Sequence, residues 1–146
     1  MRVLLYGDLD VLNLSFKLRE KYHFFKSFIN DTLKLYIELG NIKCDVLIIG
    51  LSGYNLIHSV QTVHCLKRGS FKANKKMKVI GIYEKSSTEK NENNEISELS
   101  SRFLMSISTE GLMAVKATMD VVLEVDNFSS AYEKIVEEIE KIPEEE

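Results

Sequence analysis

At 146 residues, 45% of them apolar and 28% charged, the chain suffices for one domain whose core buries roughly two-thirds of the unfolded surface. It contains no apolar run near the ~18 residues of a membrane span and no signal-peptide pattern. Two distant cysteines, Cys44 and Cys65, offer neither a disulfide framework nor a CxxC site. A cytoplasmic protein is expected, and a net charge of −3 argues against general nucleic-acid binding.

In chain order, RVLLYG (Arg2 to Gly7) is an unbroken apolar strand running into the acidic turn GDLD. Val11, Leu14, Leu18 and Tyr22 recur at helical spacing, and FFKSFI is a weaker strand of alternating character. Asp31 is placed to cap a helix with Leu33, Tyr36 and Ile37 on one face and Gly40 as its stop. The strand Val46 to Ile49 then runs out at Gly50 into the turn LSGYN. Leu56, Val60 and Val63 mark a helix that stops near Gly69, and KVIGIY (Lys78 to Tyr83) is the next strand.

EKSSTEKNENNEISE (84–98) is polar and reads as a flexible insertion. RFLMSIS after it fits either a sixth strand or the first turns of a helix. TEGLMAVKATM is helical and DVVLEV is the last clear strand. Ser130 with Glu133 suggests a capping box for a final helix whose apolar face is Tyr132, Ile135, Val136, Ile139 and Ile142. A single domain over 1–142, followed by a frayed acidic tail at 143–146, is the expected organisation.

Apolar strands separated by helices imply a doubly wound α/β fold with a mainly parallel five-stranded sheet, or six strands if RFLMSIS joins it. In such folds ligands sit at the carboxyl ends of the strands, where strand order reverses. The loops after Gly7, Gly50 and Tyr83 then share one edge, with Asp10, Ser52 and Asn55 as its candidate ligand groups. The basic stretch KRGSFKANKKMK (67–78) falls on the opposite, amino edge and reads as solvated surface.

On these segments the chain resembles the receiver domain of two-component response regulators, whose fold is flavodoxin-like (CheY-like). RVLLYGDLD is similar to the receiver's first strand and acidic pair, and FFKSFINDTLKLYIELGNIKCDVLIIG to its second strand, second helix and third strand. KVIGIY is similar to the fourth strand, and TEGLMAVKATMDVVLEVDNFSSAYEKI to the last helix, strand and helix. The resemblance implies a phosphoacceptor aspartate where this chain has Gly50, and a glycine cannot act as nucleophile. It implies an acidic pair for Mg²⁺ where this chain has Gly7 and Asp8, and one carboxylate makes a poor Mg²⁺ site, so at most weak binding is expected at Asp8. The family's hydroxyl and lysine at the ends of the fourth and fifth strands correspond to Tyr83 and Val125.

A degenerate form, a pseudo-receiver without enzymatic activity or cofactor, is therefore expected. Its output would be contact with a protein partner or a second copy through the face bearing Leu112, Val115, Lys116, Tyr132 and Ile135. The insertion would hang over the vestigial site. A weaker resemblance is to the STAS domain of anti-sigma-factor antagonists. There LSGYNLIHSVQ places Ser59 on that family's first serine, Val60 on the phosphorylatable second one and His58 on the aspartate. A small-molecule or phosphate-binding flavodoxin-like protein is the remaining alternative, although the carboxylates of GDLD would repel phosphate. His58, His64 and Cys65 fall short of a metal site, with Cys65 expected to pack inside.

Overall fold

The strands are β1 (Arg2–Gly7), β2 (Phe24–Ile29), β3 (Val46–Leu51), β4 (Lys78–Glu84) and β5 (Val121–Val125), and all four neighbouring pairs are parallel, in the order β2-β1-β3-β4-β5. The computed structural model describes residues 1–7, 11–29, 31–53, 55–67, 76–85 and 107–142, with backbone alone at Leu66 and Lys67. Between the strands run α1 (Leu12–Lys21), α2 (Thr32–Asn41), α3 (Leu56–Lys67) and α4 (Thr109–Thr118). A 3-10 helix, Phe128–Ala131, leads into α5 (Tyr132–Glu140). This is the doubly wound, flavodoxin-like arrangement, and strand order reverses between β1 and β3. No helix among the described residues is long and apolar enough to cross a membrane.

The residue types explain which strands lie inside. All six residues of β3 are buried, as are five of six in β1, because each of these strands is covered on both faces. The edge strands β2 and β5 are mostly half-buried. Side-chain alternation splits the interior into two cores. On one face Val3, Leu5, Val46, Ile48, Ile80 and Ile82 meet Leu14 and Leu18 of α1 and Ile135 and Ile139 of α5. On the other, Leu4, Leu47, Ile49, Leu51 and Val79 meet Leu35 and Leu39 of α2, Val63 of α3 and Val115 of α4. Gly111 lets α3 and α4 approach closely, since a Cβ there would overlap the Leu56 side chain.

Five local expectations are revised. The β3 strand continues through Gly50 and Leu51, whose register partners on β4 are Ile82 and Tyr83. In α2 the inward pair is Leu35 and Leu39, while Leu33 (70% exposed) and Ile37 (56%) face solvent. Both stripes are apolar and share one period, so spacing alone cannot choose the helix phase. The Asp31 side chain, which accepts from Lys34 N at 3.0 Å, sets where the helix begins. Gly40 lies inside that helix, which ends at Asn41.

The capping box before α5 is formed one turn earlier than expected, by Asn127 and Ser130 on the 3-10 helix. There Phe128 turns into the core and its amide is tied to Glu84 Oε1 at 3.1 Å. Cys65 is exposed, and Cys44 is the packed thiol. Burial pushes the Cys44 thiol up to about 12, and its Sγ donates to the Val46 carbonyl at 3.0 Å.

Candidate functional site

The carboxyl ends of β1, β3 and β4 meet at a pair of glycines. Gly50 follows Val46 and Ile48 in alternation, so it faces the α1/α5 side of the sheet. A Cβ added to it would overlap Val11 Cγ1, and Val11 is itself fully buried. The space that a side chain at Gly50 would need is therefore occupied. Gly7 stands beside it on β1. Its Cβ would lie 3.2 Å from both the Cα and the carbonyl oxygen of Gly50, contacts with backbone that has no rotamer to escape into.

The loop leaving β3 is held by one side chain. Asn55, 5% exposed, donates from Nδ2 to the Gly50 carbonyl at 2.7 Å and accepts at Oδ1 from Ser52 N at 2.8 Å. Its own carbonyl accepts from Ser59 N at 2.8 Å and so opens α3. Asn55 and Ser52 therefore do come together at the edge, bonded to each other. A turn-forming asparagine was legible in LSGYN, but its backward bond to Gly50 was not.

Tyr83 belongs to the other face. It packs with Tyr6, Leu51 and Met119, and its hydroxyl donates to Glu124 Oε2 at 2.7 Å across the β4–β5 pair. Burial, then this bond and the carboxylate's charge, push the phenol up to about 12. Gly7, Gly50 and Val125 share the α1/α5 side with Val11, so Tyr83 does not converge with them. The β4 residue on that side is Glu84, which alternates with Ile80 and Ile82 and accepts from Phe128 N. Strand parity in KVIGIYE was the signal for it.

Asp8 and Asp10 lie outside the described residues, as do most of the 84–98 insertion, most of RFLMSIS, residues 68–75 of the basic stretch and the 143–146 tail. Of RFLMSIS, Ile107 makes an isolated β-bridge and Ser108 caps α4 by accepting from Gly111 N at 3.0 Å. On the expected contact face, Lys116 is exposed and Leu112 and Tyr132 are half-buried. Val115 and Ile135 are fully buried and anchor their helices to the sheet, so neither contributes surface.

Of the residues aligned with the STAS motif, Ser59 is fully buried with no hydrogen-bond partner for its Oγ, Val60 is half-buried and His58 exposed. His64 and Cys65 are also exposed. No group of three or more His, Cys, Asp or Glu that would hold a metal ion occurs among the described residues.

What this arrangement can do chemically is limited at its centre. Among the described residues, the meeting point of β1 and β3 presents backbone groups and the Val11 side chain. Comparison with known proteins finds no matching family model, no matching curated protein and no matching solved structure.

Proposed function

We propose that the chain is a pseudo-receiver: a non-catalytic, cytoplasmic signalling module that acts through protein–protein contact. The observation that carries this reading is the filled position at Gly50. A receiver needs a carboxylate there to take up a phosphoryl group. Here the residue has no side chain, and Val11 occupies the volume that one would enter. Output then depends on shape rather than on covalent modification. The surface for it is the exposed side of α4 with the start of α5, where Leu112, Met113, Lys116 and Tyr132 are at least partly accessible. Its partner is another protein or a second copy of the chain.

The test is an NMR amide titration with Mg²⁺, followed by Mg²⁺ with beryllofluoride, a phosphoryl mimic. At millimolar concentrations the amides of Gly7, Gly50 and Ser52 are expected to stay in place. Shifts clustered on those three amides would overturn the reading and favour a working phosphoryl or phosphate site.

A further inference from the structure

We propose that the outer face of α2 and α3 is a homodimer interface, in which α3 packs antiparallel on α3 of a second copy about a two-fold axis at Gln61. This face is separate from the α4 surface, and the proposal does not depend on the receiver reading.

The two helical layers expose different chemistry. On one side of the sheet, α1 and α5 turn eight charged residues to solvent, among them Lys17, Arg19, Glu137 and Glu140. On the other, α2 and α3 turn out Leu33, Ile37 and Ile57, and their only exposed charge among the described side chains is Lys34. Lys34 is already paired with Asp31 at 3.7 Å, and the half-buried Glu38 with Lys26 at 2.6 Å. From residue 56 to 65, α3 contains no Asp, Glu, Lys or Arg. The two helices form one surface, because the Tyr36 hydroxyl donates to Thr62 Oγ1 at 3.2 Å between them. Depletion of charge around exposed aliphatic side chains is the mark of an interface centre rather than of a solvated face.

Charge and symmetry select the occupant. A face without unpaired charge has nothing with which to steer a charged partner. It fits a surface that is equally apolar and uncharged, and a second copy supplies one. The exposed residues of α3 are Ile57, His58, Gln61, His64 and Cys65, a set spaced identically in both directions from Gln61. Two such helices laid antiparallel therefore match position for position. At 100° per residue, Ile57 meets His64 of the second copy on one flank, and His58 meets Cys65 of the second copy on the other. The same axis lays α2 over its own counterpart and covers Leu33 and Ile37.

The experiment is sedimentation equilibrium on the full chain over a concentration series, where a monomer–dimer equilibrium is expected. Ile57→Glu and Ile37→Glu should each raise its dissociation constant about tenfold or more, since each sets a carboxylate against an apolar surface. Phe16→Glu, at a similarly exposed apolar position on α1, and Met113→Glu on α4 should leave it unchanged. All four positions are exposed, so circular dichroism should report a folded chain in every variant. Diamide oxidation tests the register. His58→Cys should give a reducible covalent dimer. The introduced thiol lies about 10 Å along the helix from Cys65, too far to pair within one copy but beside Cys65 of the second. His64→Cys, on the opposite flank, should not. A chain that stays monomeric throughout the series overturns the proposal. So does a dimer weakened by Met113→Glu or Phe16→Glu but not by Ile57→Glu, or equal cross-linking of the two cysteine variants. None of these outcomes bears on the Mg²⁺ titration, so the two readings fail separately.

Discussion

The two ends of the sheet are closed by different physics. At the carboxyl end, closure comes from shape and short hydrogen bonds: Val11 against Gly50, Asn55 across the following loop, and Tyr83 on Glu124. At the amino end it comes from charge. Asp45 accepts from Arg2 N at 2.7 Å just before β3, and Asp120 accepts from Val79 N at 2.7 Å just before β5, the same device used twice. Lys78 adds a contact to Glu138 of α5, which also pairs with Lys141.

The strongest way to break this contrast is Gly50→Asp. The new side chain overlaps Val11 and buries a carboxylate beside it, so a loss of about 3 kcal/mol or more in urea unfolding is expected. Combining it with Val11→Ala should show the cause. In a double-mutant cycle the two changes should couple favourably by about 1 kcal/mol, whereas simple additivity would mean that Val11 is not what excludes the side chain.

Tyr83→Phe sharpens the comparison in alkali. Tyr83 holds its proton up to about 12 when folded, against 10.0 ordinarily. Its contribution is complete below the ordinary value and is lost as pH rises from there through the folded value. Wild-type unfolding midpoints should fall over that window, and the variant should flatten the fall. A residual slope should remain, because burial also raises Tyr22.

The smallest effect belongs to the amino end. Lys141, and after it Lys78, lower the Glu138 carboxyl below its ordinary 4.5 against the opposing cost of burial. That contribution is present above the ordinary value and disappears as pH falls through the folded one. Glu138→Gln should therefore cost less than about 1 kcal/mol at neutral pH. The difference from wild type should shrink both in acid and in high salt. A deficit that ignores both would show that packing, rather than charge, holds this end.

How far these features could be read in advance depended on their range. The strand and helix succession was legible because RVLLYG, VLIIG and KVIGIY are apolar without interruption and the helices repeat their own period. The phase of α2 was not, since Leu33 with Ile37 and Leu35 with Leu39 are equally good stripes. The turn before α5 suggested a box at Ser130 and Glu133, whereas the structure forms it at Asn127 and Ser130 with Phe128 seated in the core. The fourth strand runs one residue past Tyr83, to Glu84, and which way Tyr83 faces was a matter of counting parity from Ile80.

Composition and periodicity were enough to dictate a parallel α/β sheet with Gly50 near the end of its third strand, because both follow from residue type and local repeat. What happens at that glycine was decided only in three dimensions. Val11 meets Gly50 across the β1–β3 switch point, and the amide of Asn55 chooses the strand behind it over the helix ahead. Local propensity allows both choices at Asn55. Packing of β3 between β1 and β4 brings the partners within reach and settles the one adopted.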